Sequence, residues 1–315
     1  MANTTLKITF ADLHLGVRGD DFEYLFAYHQ GGPCSIVKNG MEWLYRPIVP
    51  ALWRATTDND HGNHFHQRSG TWFSADMFIK VKGAAVCIDG KEIPLPIGPE
   101  NNRYTGEETA QEVKITHVFE TITEPSTTID ISYTVSSDGS IRVDALYHGQ
   151  KGLPELPVFG VRLIMPTVAL GYRYEGLSGE TYPDRMDGAE NGIFDIEGLP
   201  ISGYLTPQEN GMHMNTEWVE IRRNRSLSNI KDDGHERRLR VEKADKPFAF
   251  SALPYTPFEL ECADHKEALP LPRRTVLTIC GAVRGVGGMD SWGADVEEPY
   301  RISAEEDIAF SFRIV

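Results

Sequence analysis

The sequence has little cysteine and no long apolar run. Its four cysteines (Cys34, Cys87, Cys262 and Cys280) are widely spaced, and none forms a Cys-x-x-Cys pair or clusters with histidines. This spacing argues against zinc and redox chemistry, and it fits a reducing compartment. A membrane-spanning helix needs about 18 or more consecutive apolar residues, and the chain contains no such stretch. We therefore predict a protein that does not span a membrane.

Basic charge is also scarce. The chain has 31 lysines and arginines against 46 acidic residues, which gives a formal net charge of −15. Such a surface repels phosphate backbones, and no basic stripe is clustered along the sequence, so nucleic-acid binding is not expected. Residues 1–7 contain no basic segment followed by an apolar one, so no secretory signal is predicted and a cytoplasmic location is expected.

Short alternating segments, in contrast, fill most of the chain. They are rich in Val, Ile, Thr and Phe, which suit a half-buried strand. The turn sequences Asp89-Gly90, Ser137-Asp138-Gly139 and Asp233-Gly234 fit hairpin connections. The pattern predicts an all-β, antiparallel sandwich that forms one domain over residues 1–315. The predicted strands are 6–10, 22–29, 79–88, 112–123, 127–135, 141–147, 158–165, 217–222, 237–241, 248–252, 275–280 and 308–315.

Helical periodicity is nearly absent. The best candidate is a turn or two from Asp264 to Leu269, with Asp264 as N-cap. Two long stretches resist strand assignment, one from Pro50 to about Met77 and one from Gly171 to Gly211. Long irregular segments in a compact β domain are uncommon and often functional, so we expect the functional residues there.

The first stretch contains two acids, an amide and three histidines within Trp53-Arg54-Ala55-Thr56-Thr57-Asp58-Asn59-Asp60-His61-Gly62-Asn63-His64-Phe65-His66. Oxygen and imidazole ligands together are compatible with a metal. However, the spacing matches no helical histidine site and no calcium-binding loop. Asp and Asn side chains also stabilise tight turns through their own backbone. We favour this structural role for Asp58, Asn59 and Asp60 over metal binding.

The second stretch offers further polar candidates. Asp184 and Arg185 could form a buried ion pair, or Arg185 could reach a ligand oxygen. Glu209 and Asn210 lie in Pro207-Gln208-Glu209-Asn210-Gly211, which is typical of a loop held by side-chain hydrogen bonds. We interpret all four residues as structural.

A third candidate is the glycine-rich run Gly285-Val286-Gly287-Gly288-Met289-Asp290-Ser291-Trp292-Gly293. It lacks the Lys-Ser/Thr ending of a phosphate-binding loop. Its glycines allow positive φ and could present Trp292 at a loop tip, where the indole face would support a pyranose ring. The alternative is a tryptophan buried under the sandwich, and the local sequence does not separate the two.

Catalytic signatures are missing. A glycosidase needs two carboxylates on either side of the scissile bond, and no pair here has neighbours suited to separate their pKa values. Neither a Gly-x-Ser-x-Gly nor a His-Glu-x-x-His motif is present. We therefore assign no catalytic residue to this chain.

Taken together, the motifs resemble those of glycoside hydrolase family 2 β-galactosidases. The run from Trp53 to Gly62 resembles the W-R-A-P/T-x-D-N-D-x-G signature that opens their last domain. Residues 204–211 resemble Y-x-x-P-Q-E-N-G, and residues 287–292 resemble G-G-x-D-S-W. Residues 175–185 resemble G-x-G-P-x-E-x-Y-P-D-R in their second half only, because Glu175, Leu177 and Ser178 depart from the pattern. A chain that begins at Met1, just before this domain, resembles the small subunit of the two-chain enzymes.

The resemblance implies a galactose mutarotase-like β-supersandwich and a retaining hydrolase that acts on β-D-galactosides such as lactose. It places both catalytic glutamates, together with Mg and Na, on a large partner subunit, so no cofactor is expected on this chain and the chain alone is expected to be inactive. It implies that Trp292 stacks on the sugar, mainly on the glucose or acceptor part. It also implies that Gly62 is the hinge of a mobile loop, with Asn63 and His64 near the substrate.

Two other functions fit the same fold. A stand-alone aldose mutarotase or epimerase would need a histidine acid and a glutamate base that converge in a cleft. A galactoside-binding module would bind the sugar without cutting it. The sequence also leaves open whether the chain forms homo-oligomers when its partner is absent.

Overall fold

The computed structural model describes residues 5–95, 104–228, 232–290 and 292–315. These residues form three antiparallel sheets, so the predicted all-β, antiparallel fold is confirmed. The first sheet has six strands in the order β5-β4-β3-β2-β1-β9. Its strands are β1 (Leu6–Phe10), β2 (His14–Arg18), β3 (Phe22–Ala27), β4 (Pro33–Lys38), β5 (Met41–Glu42) and β9 (Thr109–Ala110).

The largest sheet has ten strands in the order β15-β14-β17-β18-β21-β12-β11-β10-β7-β8. Its centre is β21, which pairs with β12 on one side and with β18 on the other. The strands are β7 (Lys80–Ile88), β8 (Lys91–Ile93), β10 (Glu112–Glu120), β11 (Thr128–Ser136), β12 (Ile141–Tyr147), β14 (Gly171–Leu177), β15 (Asn191–Glu197), β17 (Trp218–Arg223), β18 (Arg237–Lys243) and β21 (Ile308–Ile314).

The third sheet has five strands in the order β16-β19-β20-β13-β6 and carries much of the candidate site. Gly160 pairs with Ala51 on one neighbouring strand and with Cys280 on the other. β6 and β20 therefore lie on either side of β13, and the segments that follow each of them contain motif residues. The strands are β6 (Val49–Ala51), β13 (Val158–Met165), β16 (Met212–Thr216), β19 (Phe248–Leu253) and β20 (Thr275–Val283).

The helices are short and lie in the connections between strands. Three of them follow β6: α1 (Asp58–Gly62), α2 (Phe65–Arg68) and α3 (Thr71–Met77), and α4 (Pro257–Glu261) follows β19. Single turns of 3₁₀-helix occupy Lys266–Ala268 and Glu298–Tyr300. None of the helices found in the described ranges is long and apolar enough to cross a membrane.

Residues from all three sheets form one hydrophobic cluster. It extends from Leu6 in the first sheet to Ile314 in the ten-stranded sheet. Every residue of β13 is buried, whereas β11 alternates between buried and half-buried positions. The rings of Tyr147 and Phe159 join the ten-stranded and the five-stranded sheets, with centroids 5.8 Å apart. Burying such a side chain contributes about 1.5–3 kcal/mol.

The prediction of one domain over residues 1–315 stays a prediction.

The sequence predicted most strands within a few residues of their observed ends, but two expectations were wrong. The stretch 171–211 contains two strands, β14 and β15, rather than a continuous loop. The helix expected from Asp264 is only the turn Lys266–Ala268, and His265 precedes it without a side-chain cap. Its neighbour α4 is the better-formed helix, because Thr256 and Glu259 form a capping box around Pro257.

Candidate functional site

The motif segments lie against one another, although they are far apart in the chain. The Asp58 backbone N–H donates to Gln208 Oε1 over 3.1 Å, and Gln208 Nε2 donates back to Asp58 Oδ2 over 3.0 Å. Asn59 Nδ2 donates to the carbonyl of Val286 over 3.0 Å. We call the resulting assembly the motif cluster. It is formed by residues 53–63, 182–185, 208–210, 284–290 and 292–295.

Asp60 is the buried centre of the motif cluster. Its carboxylate accepts from Arg54 Nη1 at 2.6 Å and from the Thr57 N–H at 2.9 Å, and Arg284 Nη1 lies 3.5 Å away. Burial by itself would raise the pKa of Asp60, but the two guanidinium groups and the Thr57 N–H hold it below its usual value. Removing one member of such a buried group leaves an unpaired charge. The predicted structural role of Asp60 agrees with these contacts.

Arg284 extends this charge network outward and was not found from the sequence. Its Nη2 donates to Asp295 Oδ1 over 2.7 Å, and its Nε donates to Glu155 Oε2 over 3.2 Å. The guanidinium carbon lies 3.9 Å from the centroid of the Phe65 ring. Arg68 binds the other oxygen of Asp295 at 2.6 Å. The network therefore ties α2 to the chain that follows the glycine-rich run.

The side chains of Asp184 and Arg185 hydrogen-bond to the glycine-rich run and do not form an ion pair with each other. The Asp184 carboxylate accepts from the N–H groups of Val286, at 3.0 Å, and Gly287, at 2.7 Å. Arg185 Nη2 donates to the carbonyl of Gly287. No ion pair joins Asp184 to Arg185 in the described part of the chain. Of the two alternatives for this pair, the ion pair is wrong, because backbone N–H groups bind the carboxylate.

Glu209 is a buried carboxyl group with few partners. Its described hydrogen bond comes from the Tyr182 hydroxyl, 3.4 Å away, and burial raises the pKa of Glu209 to about 7. The sequence predicts a loop held by side-chain hydrogen bonds, and Glu209 contributes little to them. Its neighbours have that role: Gln208 binds Asp58, and Asn210 Nδ2 donates to the carbonyl of Gln208 over 2.9 Å.

Gly62, Asn63 and His64 lie where α1 ends. Gly62 is helical and does not need a positive φ; instead, a Cβ there would lie 3.3 Å from the Cα of Gly293. Asn63 is buried, and its Oδ1 accepts from the Phe65 N–H at 2.9 Å, whereas its Nδ2 has no partner in the described residues. His64 is exposed with a φ of 62°. Substrate contacts of Asn63 and His64 and the hinge role of Gly62 stay predictions.

Trp292 lies at the exposed tip of the glycine-rich run. Its side chain is 92% exposed, so the alternative of a tryptophan buried under the sandwich is wrong. Asp290 Oδ1 accepts from the N–H groups of Trp292, at 2.8 Å, and Ala294, at 3.1 Å. Gly293 has a φ of 88°, and a Cβ there would lie 2.6 Å from the Gly62 carbonyl oxygen. The loop that carries Trp292 is thus packed directly on the end of α1.

The same segments match a known family. The family described as "Beta galactosidase small chain" matches residues 18–314. The chain belongs to the β-galactosidase small-chain family. A β-galactosidase small subunit from Latilactobacillus sakei is 55% identical to it, over 100% of this chain and 99% of that protein.

Longer relatives contain the family region within a larger chain. A β-galactosidase from Halalkalibacterium halodurans is 32% identical over 99% of this chain, which spans only 28% of that protein's length. A β-galactosidase from Bifidobacterium adolescentis is 30% identical over 98% of this chain and 27% of its own length. Among solved structures, a galactose mutarotase-like protein from Lactobacillus casei covers 96% of this chain and 99% of its own, with 11% identity and a TM-score of 0.41.

The three histidines His61, His64 and His66 lie near one another, and the ring centroids of His64 and His66 are 6.4 Å apart. The rings of His61 and His66 lie 4.3 Å apart, and His61 Nε2 is 3.0 Å from the hydroxyl of Thr56. Across the described residues, no group of three or more His, Cys, Asp or Glu side chains is placed to hold a metal ion. The acids nearby are engaged elsewhere, since Asp58 binds Gln208 and Asp60 binds arginines. The structural interpretation of this segment is consistent with these contacts.

Glu261 is a second residue that sequence reasoning missed. It ends α4, and its carboxylate accepts from the Thr56 N–H at 2.8 Å, from the Thr56 hydroxyl at 2.7 Å and from Trp53 Nε1 at 3.4 Å. These contacts span 205 or more residues in the chain. The one signal available from the sequence was the capping box that places Glu261 on a short helix.

Proposed function

We propose that this chain is the small subunit of a β-galactosidase that hydrolyses terminal β-D-galactosides such as lactose with retention of configuration. The small subunit contributes loops that line one side of the sugar site, and a large subunit contributes both catalytic glutamates. Mg and Na are assigned to the large subunit and no cofactor to this chain. A cytoplasmic location is part of the same proposal.

The exposure of Trp292 carries this proposal. The Trp292 indole is 92% exposed, so its face is free to pack on a ligand. The Trp face is apolar and broad, so it can pack on the C–H groups of a pyranose while the hydroxyls stay free to form hydrogen bonds. The surrounding motif cluster belongs to the matched family region, which connects this surface to β-galactosidase chemistry.

The chemistry of a retaining glycosidase explains why the small and large subunits are given different roles. A retaining glycosidase needs an acid/base carboxyl and a nucleophilic carboxylate about 5–5.5 Å apart. Two acids of the motif cluster are engaged in other contacts, since Asp60 is bound by arginines and Asp184 by backbone N–H groups, and the Glu209 carboxyl is buried beside the Tyr182 hydroxyl. This chain therefore orients the sugar next to the galactosyl unit, and the partner breaks the bond.

The test is reconstitution from two purified chains. Small and large subunits are assayed separately and mixed, with a nitrophenyl galactoside and with lactose. We expect activity only in the mixture, and we expect Trp292→Ala to weaken sugar binding by about 1–3 kcal/mol. Full activity of the large subunit by itself would contradict the proposal.

The same preparations separate the two other functions considered for this fold. Polarimetry of freshly dissolved α-galactose with the isolated chain detects a mutarotase. Calorimetric titration of the isolated chain with galactose detects a free-standing binding module. We expect neither signal, because the proposed sugar site is complete only between two chains.

A further inference from the structure

The segment Val286–Gly288 is held from both of its sides by residues of other motifs. We propose that Asp184, Asn59 and Arg185 are positioning residues for Trp292, and that through it they set the affinity for the sugar next to the galactosyl unit. We call these three side chains the loop clamp. This proposal rests on the proposed function, since it assumes that Trp292 stacks on sugar.

Asp184 holds the N–H side of the segment. Its two carboxylate oxygens accept from successive N–H groups, those of Val286 at 3.0 Å and Gly287 at 2.7 Å. Hydrogen bonds to an ionised group are shorter and stronger than neutral ones. The packing is close: a Cβ on Gly285 would lie 2.7 Å from the Asp184 carboxyl carbon. The carboxylate therefore fixes where the glycine-rich run begins.

Asn59 and Arg185 hold the carbonyl side. Asn59 Nδ2 donates to the carbonyl of Val286 over 3.0 Å, and Arg185 Nη2 donates to that of Gly287. A Cβ on Gly288 would lie 2.7 Å from Asn59 Nδ2 and 3.2 Å from Arg185 Nη2. The peptide unit between Val286 and Gly287 is therefore held on both edges, its N–H by Asp184 and its carbonyl by Asn59, and the unit on either side of it is held on one edge.

Trp292 needs such a clamp because of the glycines around it. Gly287, Gly288 and Gly293 have φ values of 70°, 84° and 88°. Glycine reaches many backbone conformations, so a glycine-rich loop is ordered only at an entropic cost. The indole is 92% exposed and so gains little order from its own packing. Its orientation must come from the backbone, and holding a binding group in its bound orientation raises affinity.

The experiment is a double-mutant cycle in the reconstituted two-chain enzyme. The four proteins are the wild type, Asp184→Asn, Trp292→Ala and the double variant. We expect Asp184→Asn to raise KM for lactose about fivefold and to lower galactosyl transfer to added glucose similarly. The kcat for a nitrophenyl galactoside is expected to stay within about twofold of the wild type, because its leaving group is not a sugar. In the Trp292→Ala background, Asp184→Asn should have no further effect.

A matched control is available in the chain. Asp89 Oδ1 also accepts from two successive N–H groups, those of Gln111 at 2.8 Å and Glu112 at 2.9 Å, but none of its described contacts reaches the motif cluster. Asp89→Asn should leave KM and the transfer ratio unchanged. Asn59→Ala, which loosens the carbonyl side, should reproduce the effect of Asp184→Asn and serves if that variant folds poorly.

The outcomes separate this inference from the proposed function. An equal effect of Asp184→Asn in both backgrounds, or an unchanged KM with Trp292 present, would overturn the loop clamp. If the proposed function is wrong, the wild-type mixture is inactive, or Trp292→Ala leaves the KM for lactose unchanged. The proposed function would survive failure of the clamp alone.

Discussion

Glu209 is a residue of the motif cluster whose burial links folding to pH. Its carboxyl is buried with the Tyr182 hydroxyl 3.4 Å away, and burial raises its pKa from 4.5 to about 7. Below about 4.5 the group is neutral in the folded and the unfolded chain, and its favourable contribution is fully present. As the pH rises through 7, the unfolded chain has already ionised, and that contribution is lost.

We therefore expect Glu209 to lower the free energy of unfolding between about pH 4.5 and pH 7, by an amount on the order of 3 kcal/mol at most. Burial lowers the pKa of His117 and His213 to about 4, so these groups act in the opposite direction, and the effect of Glu209 is the difference between the wild type and Glu209→Gln. Urea unfolding of both proteins at several pH values measures the difference. Parallel profiles for the two proteins would show that Glu209 does not titrate in this range.

Among the elements, α4 connects a short helix to the motif cluster. The Thr256 side chain accepts from the Glu259 N–H, Glu259 accepts from the Thr256 N–H, and Glu261 at the other end holds Thr56. Thr256→Ala removes the cap and should lower the free energy of unfolding by about 1 kcal/mol. Thr256→Ser keeps the hydroxyl and should lose much less. Urea titrations compare the two, and equal losses would mean that the methyl group, not the cap, matters.

Strands could be predicted from the sequence where one face is buried and the other is not. Alternation in β10, β11 and β12 is regular, and their predicted positions were confirmed within a few residues. Alternation was less informative in β14, where glycines at both 171 and 176 weaken a strand signal. Helices of four to seven residues carry too few turns for a periodic pattern, which is why the sequence predicts an irregular segment where α1, α2 and α3 lie.

The contacts within the motif cluster were not predictable in the same way. The Trp292 loop could be picked out because its glycines and tryptophan are neighbours in sequence. In contrast, Asp184 binds backbone groups that are 102 and 103 residues away, and Glu261 binds Thr56 across 205 residues. A local pattern identifies an acid but not its distant partner, so the sequence offered Arg185, the adjacent residue, as a partner for Asp184, whereas the partners are backbone groups of the glycine-rich run.

For the whole molecule, the shared core predicts one cooperative unfolding transition. The hydrophobic cluster includes Leu6 from the first sheet, Phe159 from the third and Ile314 from the ten-stranded sheet. Elements that share one core unfold together. Tryptophan fluorescence and far-ultraviolet circular dichroism should therefore give the same urea midpoint for the isolated chain. Two separate midpoints would contradict the prediction of one domain over residues 1–315.

The central place of β21 in the ten-stranded sheet has a consequence for how the molecule is made. The ribosome synthesises Ile308–Ile314 after every other strand of that sheet, yet this strand alone pairs with both β12 and β18. Until it emerges from the exit tunnel, the nascent chain holds two partial sheets, each with an open edge that can pair wrongly. Co-translational folding can prepare both halves, but the sheet is completed only after translation has passed Ile314.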